Sequence, residues 1–138
     1  MYDKLVVAVD HSNATERVLA AAQDLASLSS GEVWVLHLRE LEYMARGGPT
    51  ATETRDEAEE KVDAAVEELT QAGIKAHGVV RNTMYGHAAR EIVDEAKAHD
   101  AGVIAMGSRG LGDLAGLVLG STAHKVIHLA DRPVLIVR

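Results

Sequence analysis

A glycine-rich segment near the C-terminus carries the clearest chemical signal in this sequence. Five of the twelve glycines lie between Gly107 and Gly120. Glycine permits positive φ and lets backbone N–H groups approach a ligand, because no Cβ intervenes. The segment leads into Ser121 and Thr122, where a helical pattern begins, and the free N–H groups and positive dipole of a helix start attract anions. These residue types in this order favour a phosphate-binding site, with the two hydroxyls as further donors.

Two common phosphate-binding motifs do not fit the sequence. The Walker A motif needs a lysine directly before its Ser or Thr, whereas Gly120 precedes Ser121. The dinucleotide-binding fingerprint needs glycines in the first strand-to-helix turn, and Val9–Asn13 has none. Backbone N–H groups and hydroxyls therefore remain as phosphate donors. The positive charge that balances the phosphates could come from Arg109 or from a bound metal ion. Arg109 is equally compatible with an exposed position away from any ligand.

The elements that must position these groups alternate along the chain. Short apolar runs predict strands at Leu5–Val9, Glu32–Leu38, Ile74–Val80, Val103–Met106 and Val134–Val137. Helical patterns lie between them, the first capped by Asn13 and the others over residues 53–70, 86–98 and 121–130. This alternation predicts one α/β domain over residues 1–138, with a doubly wound, five-stranded parallel sheet and helices on both faces.

Sheets of this kind bind ligands beyond the carboxyl ends of their strands, where the strand order reverses. That rule selects Asp10 after the first strand, the residues after Leu38, and the segment after Met106. Asp10 has two open interpretations, as a ligand contact or as a cap or turn acceptor for the helix that begins near Asn13.

Residues Tyr43–Thr54 contain two glycines and a proline, which interrupt both helix and strand patterns. We therefore predict a surface loop over this segment. A variable crossover between elements is the favoured interpretation, with a lid over the site as the alternative.

Composition excludes several classes of protein. The formal net charge of −7 disfavours a nucleic-acid footprint, and the absence of cysteine excludes disulfides and thiolate chemistry. No apolar run is long enough to cross a membrane. The N-terminal residues have the pattern of a β-strand rather than that of a signal peptide. We therefore expect a cytoplasmic protein. The acidic charge is unevenly distributed along the chain. Residues 107–138 carry four basic and two acidic side chains, although the whole chain is acidic.

The glycine spacing resembles the signature of nucleotide-binding universal stress proteins, which is Gly, two residues, Gly, nine residues, then Gly followed by Ser or Thr. Gly107, Gly110 and Gly120-Ser121 have this spacing. Val7–Ser12 resembles the first strand of the family with its Val-Asp-x-Ser turn, and Pro133–Val137 resembles its closing strand. The resemblance extends over essentially the whole chain.

This resemblance implies strand order 3-2-1-4-5 and an ATP site, with Mg²⁺ or Mn²⁺, at the switch point. Asp10 would approach the ribose or the metal, and the backbone at Leu38 would read the adenine edge. The other residues implied to contact the nucleotide are Val9 and Met106 at the base, Gly107 and Gly110 beneath the ribose and phosphates, and Gly120, Ser121 and Thr122 at the phosphates. The family also implies a homodimer through the closing strand.

The functional prediction is an ATP-binding, nucleotide-responsive stress or signalling protein with no assigned catalytic residue. No Walker lysine and no evident general base are present, so rapid hydrolysis is not expected. The alternatives are a slow, metal-assisted ATP hydrolase, a dimeric interaction module with a non-catalytic site, and a cyclic-nucleotide binder. His124 and His128 have a chelating spacing, but no Cys or suitably placed Glu accompanies them, so no protein metal site is predicted.

Overall fold

A computed structural model describes residues 1–10, 12, 14–44, 47–51, 53–109 and 119–138. The elements in chain order are β1 (Lys4–Val9), α1 (Thr15–Ser29), β2 (Glu32–Met44), β3 (Gly48–Ala51), α2 (Arg55–Gln71), β4 (Lys75–Met84), α3 (Ala88–Ala98), β5 (Val103–Gly107), α4 (Ser121–Leu129) and β6 (Val134–Val137). Among these residues, no helix combines the length and apolar character needed to span a membrane.

The α/β fold class is confirmed. Five parallel strands lie side by side in the order β4-β2-β1-β5-β6, so that β1 and β5 are central and the strand order reverses between them. Alternate residues of each strand point to opposite sides of the sheet, so each buried strand presents apolar side chains to both faces. Helices cover both of these faces. The sheet differs from the prediction by a sixth strand, β3, which pairs antiparallel with β2.

The predicted surface loop over Tyr43–Thr54 is wrong in its first part. Strand β2 continues to Met44, and β3 folds back beside it with Leu41 opposite Ala51. Gly47 and Gly48 have φ values of 108° and 81°, which is the left-handed conformation that glycine adopts readily at a turn. Proline has no backbone N–H, and Pro49 is tolerated in β3 because a residue of an edge strand does not need an N–H on the side that faces no other strand. The glycines and the proline thus form a hairpin rather than an irregular loop.

Two apolar clusters lie on the two faces of the sheet. On one face Val7 and Val35 pack with α1 and α2, and on the other face Val6 and Leu36 pack with α3 and α4. Helix α1 has Ala14 at its N-cap, whereas Asn13, the predicted cap, lies outside the described residues.

Thr54 caps helix α2. Its side chain accepts a hydrogen bond from the backbone N–H of Glu57, and the Glu57 carboxylate accepts one from the backbone N–H of Thr54. This reciprocal cap fixes the point at which the chain leaves the hairpin. It thereby positions Glu53, which directly precedes the cap, at the carboxyl edge of the sheet.

Candidate functional site

A cavity of about 580 Å³, a volume typical of small-molecule sites, opens at the carboxyl ends of β1 and β5 and beside the middle of β2. Nine of the ten predicted site residues line it: Val9, Asp10, Leu38, Met106, Gly107, Arg109, Gly120, Ser121 and Thr122. The tenth, Gly110, lies outside the described residues. The structure thus brings the predicted site residues that it describes to one cavity, and their contact with a nucleotide stays a prediction.

One part of the cavity lining is apolar and comes from both the sheet and α3. Leu36 and Met106 line the cavity and are almost completely buried, and Leu38 lies in β2 one residue beyond the last pairing of that strand with β1. Ala89 and Ile92 of α3 face them from the helix side. An apolar lining of this kind is suited to a flat ring, because ring surface that lies against it leaves water.

The first turn of α4 forms a polar end of the cavity. Gly120 occupies the N-cap position, and a glycine offers no side-chain oxygen to the N–H groups of the first helical turn. The half-exposed Thr122 and the exposed Ser121 add hydroxyls there, and Lys125 lies about one turn further along the same helix. This end combines helix-start N–H groups, hydroxyls and an ammonium group, all of which favour an anion.

A buried hydroxyl also points to a polar ligand. Ser12 lines this cavity, and its Oγ atom is buried and has no hydrogen-bond partner among the residues that the structure describes. Leaving a buried hydroxyl without a partner costs about 1–3 kcal/mol. A ligand that hydrogen-bonds to Ser12 would remove this cost.

Asp10 acts as a turn acceptor. Its Oδ1 atom accepts a hydrogen bond from the backbone N–H of Ser12 at 2.8 Å, and the Thr15 hydroxyl donates to the Asp10 carbonyl oxygen at 2.7 Å. These bonds fix the turn between β1 and α1. The turn interpretation of Asp10 is therefore confirmed, while its contact with ribose or metal stays a prediction.

Neither of the two described glycines of the glycine-rich segment has a left-handed backbone conformation. Gly120 has φ −72°, a value open to any residue. A Cβ atom on Gly107 would lie 3.2 Å from the Cβ of Ala14, which is a tight contact. Glycine at position 107 therefore lets the end of β5 approach the start of α1.

Sequence reasoning missed a buried pair in the cavity wall. The His37 ring is 3 % exposed; its Nδ1 atom lies 2.9 Å from the Val9 carbonyl oxygen, and its Nε2 atom lies 2.5 Å from Oε1 of Glu53. Both side chains line the cavity. The available signal was a histidine within an otherwise apolar strand run, because a buried polar side chain needs a partner.

Two further charged residues on the rim were also missed. Burial raises the pKa of the Glu40 carboxyl, the neighbouring carboxylate of Glu42 raises it further, and Lys125 opposes both effects. Glu40 and Lys125 therefore lie close enough to interact across the cavity mouth. Tyr85 and Gly86, from the turn before α3, complete this rim.

Comparisons with known proteins agree with this architecture. The model of the "Universal stress protein family" matches residues 1–138. The chain is 32% identical to universal stress protein YxiE of Bacillus subtilis, over the full length of both chains. It is 34% identical to a universal stress protein of Thermus aquaticus, again over both full lengths.

Solved structures give the same result. A universal stress protein from Archaeoglobus fulgidus, solved in complex with dAMP, superposes with a TM-score of 0.76 at 31% sequence identity. The match covers 99% of this chain and 98% of that one. This chain belongs to the universal stress protein family.

Proposed function

We propose that this protein binds an adenine nucleotide in the strand-end cavity and acts as a nucleotide-responsive stress or signalling protein. The preferred ligand is ATP with Mg²⁺ or Mn²⁺. The observation that carries the proposal is that apolar side chains of the sheet and α3 line the same cavity as the start of α4. A nucleotide has the matching polarity, with a flat base at one end and phosphates at the other.

In this proposal each end of the cavity holds one part of the ligand. Val9, Leu38 and Met106 enclose the adenine, and the backbone at Leu38 hydrogen-bonds to its edge. The N–H groups at the start of α4 hold the phosphates, together with the hydroxyls of Ser121 and Thr122. Several charge-assisted bonds are needed here, because a helix dipole alone contributes only about 0.3–1 kcal/mol per charge.

The remaining polar groups act on the ribose and on the charge of the phosphates. Ser12 supplies a hydroxyl to the ribose or to a phosphate, and Arg109 supplies a positive charge. Asp10 has a carboxylate oxygen suited to Mg²⁺, which prefers a few carboxylate ligands together with phosphate oxygens. A bound metal would neutralise phosphate charge beside that carboxylate.

A nucleoside monophosphate is the second candidate ligand. The Archaeoglobus fulgidus relative was solved in complex with dAMP, so a single phosphate at the start of α4 is a concrete alternative to a triphosphate. A cyclic nucleotide and slow hydrolysis of ATP are further outcomes that the binding experiment separates.

We also propose a homodimer formed through β6. This strand closes one side of the sheet, and Leu135 within it is 36% exposed. An apolar strand at a sheet edge is a template for pairing with another chain. Sedimentation of the wild-type protein and of Leu135→Glu tests this arrangement: the wild type should sediment as a dimer and the variant as a monomer.

Calorimetric titration tests the nucleotide proposal. Wild-type protein is titrated with ATP, AMP and cyclic AMP, each with Mg²⁺ and with EDTA, and the same series is run on Gly120→Val. The backbone angles at position 120 are open to valine. We expect Gly120→Val to lose ATP binding because its side chain blocks the phosphate end. Thr70→Val, on the exposed end of α2, is the control and should bind as wild type does. Equal ATP binding by wild type and Gly120→Val contradicts the proposed site.

A further inference from the structure

We infer that Glu40 determines which purine the cavity accepts, because its carboxylate takes a hydrogen bond from the 6-amino group of adenine and repels a 6-carbonyl oxygen. This inference rests on the proposed function and adds to it the side chain that selects the base. Guanine and hypoxanthine, which carry a carbonyl oxygen at this position, are the purines that Glu40 would exclude.

Strand β2 has a three-residue gap in its pairing where it borders the cavity. Its pairing with β1 ends at His37, opposite Val9, and its pairing with β3 begins at Leu41. Both neighbours lie on the same side of β2, because β4 pairs with the other side over residues 32–41. In the part of the chain that the structure describes, residues 38–40 therefore have no strand beside them on the β1 side.

This gap presents an apolar side chain and then a carboxylate to the cavity. Leu38 and Glu40 point to the same face of the sheet, because alternate residues of a strand share a face. Both line the cavity, together with Ala89 and Ile92 of α3, which covers that face. The arrangement suits a base whose ring lies against Leu38 and whose edge carries a hydrogen-bond donor.

The backbone that carries Glu40 is held by its neighbours. Glu40 pairs with Thr83 of β4, and Leu41, the next residue, pairs with Met84 of β4 on one side and with Ala51 of β3 on the other. A side chain that projects from a paired strand is positioned more precisely than one on a loop. Glu40 is therefore well placed to discriminate between ligands that differ in a single group.

The charge environment of Glu40 is that of an acceptor that needs a donor. Burial raises the pKa of the Glu40 carboxyl, Glu42 raises it further, and Lys125 opposes both effects. The carboxyl of Glu32 differs, because a hydrogen bond from His77 lowers its pKa. No residue in the described ranges donates a hydrogen bond to Glu40. An N–H group of a ligand would stabilise this carboxylate.

The chemistry of the purines determines which ligand supplies that N–H group. The 6-amino group of adenine is a donor, whereas the 6-carbonyl oxygen of hypoxanthine or guanine is an acceptor. A carboxylate accepts and cannot donate, so it binds the first group and repels the second. A site that hydrogen-bonds an N–H group of its ligand rejects the analogue that lacks it, because a polar group of the site is then left unpaired.

Inosine triphosphate (ITP) is the matched probe, since it has the shape of ATP and a carbonyl oxygen in place of the 6-amino group. Titration calorimetry with each nucleotide and Mg²⁺ gives the ratio of the ITP to the ATP dissociation constant. This ratio should fall about five- to tenfold from wild type to Glu40→Gln, because an amide can accept from the amino group or donate to the carbonyl oxygen. The loss of one negative charge affects both triphosphates equally, so the ratio cancels it.

Glu42→Gln is the control variant. Glu42 lies two residues further along β2, is exposed, and is not among the described residues that line the cavity. The substitution changes the charge by the same amount as Glu40→Gln, and the ratio should stay within about twofold of wild type. Glu40→Ala should lower the ratio, as Glu40→Gln does, because alanine has no acceptor.

Three outcomes overturn the inference. A ratio in Glu40→Gln and Glu40→Ala that equals the wild-type ratio shows that Glu40 does not contact the base. Equal weakening of ATP and ITP in both variants places the carboxylate at the ribose instead. In these two cases ATP still binds to the wild type, so the proposed function stands. If the wild type binds neither nucleotide, the proposed function fails and the inference fails with it.

Discussion

The Oδ1 atom of Asp10 lies 2.8 Å from the backbone nitrogen of Ser12 and accepts its hydrogen bond. This bond closes the turn that joins β1 to α1, and Asp10 and Ser12 both line the cavity. One carboxylate therefore has a structural role in the turn and, in the proposed function, a second role toward ribose or metal. The two roles can be separated, because the first needs only an oxygen acceptor and the second needs negative charge.

Substitution of Asp10 by asparagine and by alanine separates these roles. Asn keeps the side-chain oxygen, so the free energy of unfolding of Asp10→Asn should stay within about 0.5 kcal/mol of wild type. Asp10→Ala should lose about 1 kcal/mol, because the Ser12 N–H loses its acceptor. Urea unfolding measures both values.

Binding of ATP then reports on the charge. The affinity of Asp10→Asn for ATP with Mg²⁺ should fall toward the value measured with EDTA, because an amide binds Mg²⁺ less well than a carboxylate. Wild-type affinity in both variants would show that Asp10 serves the turn alone.

Lys125 should distinguish ATP from AMP. Its side chain lines the cavity about one turn beyond the start of α4, further along the helix than the hydroxyls of Ser121 and Thr122. Lys125→Met should weaken ATP binding about three- to tenfold and AMP binding less than about twofold, because only the longer ligand extends a charged group to the ammonium. Lys97→Met, on the exposed end of α3, is the control in the same titrations. Equal losses for ATP and AMP would contradict this assignment.

The strands and helices were predictable because their signals are local. Leu5–Val9 and Val103–Met106 are continuous apolar runs, and such runs indicate strands buried on both faces. The β2–β3 hairpin has no such signal, since β3 consists of Gly-Pro-Thr-Ala. Its pairing depends on β2 extending past the end of β1, which leaves the edge of residues 41–44 open to a new strand.

The same distinction applies to the cavity. Residues such as Asp10 and Met106 directly follow or end predicted strands, so the strand-end rule places them. Glu53 reaches the cavity only because the hairpin returns the chain to the edge of the sheet. Since the hairpin was not predicted, the position of Glu53 could not be predicted either. The role of His37 depends in turn on Glu53, and local pattern alone therefore could not assign it.

Gly78 on β4 should be sensitive to any side chain. A Cβ atom there would lie 2.5 Å from Cγ1 of Val62, a buried residue of α2, which is closer than real Cβ contacts allow. Gly78→Ala should lower the free energy of unfolding by about 1–3 kcal/mol through overpacking. The loss should be smaller in a Val62→Ala background, because the methyl that clashes is absent. An equal loss in both backgrounds, measured by urea unfolding, would place the strain elsewhere.

Glu95 should make the stability of the fold depend on pH through its ion pair with Arg81. The Glu95 carboxyl is buried and receives Nε and Nη2 of Arg81 at 2.5 and 3.1 Å, and its Oε1 atom also lies 2.9 Å from Nε2 of His99. Burial raises the pKa of Glu95, but the hydrogen bonds from Arg81 and His99 outweigh it, and the net pKa lies below its usual value. The stabilisation is therefore present above the ordinary carboxyl pKa and is lost as the pH falls through the lowered one.

Arg81→Met tests this dependence. At about pH 7 the variant should lose about 2 kcal/mol, because a buried carboxylate loses a charged partner. The difference from wild type should shrink as the pH falls below about 4, where the carboxyl is protonated in the variant and then in the wild type. Arg90→Met, an exposed arginine on the same helix as Glu95, should stay within about 0.5 kcal/mol of wild type at each pH. A difference between Arg81→Met and wild type that is constant from about pH 3 to about pH 7 would mean that Arg81 stabilises the fold by packing rather than by its charge.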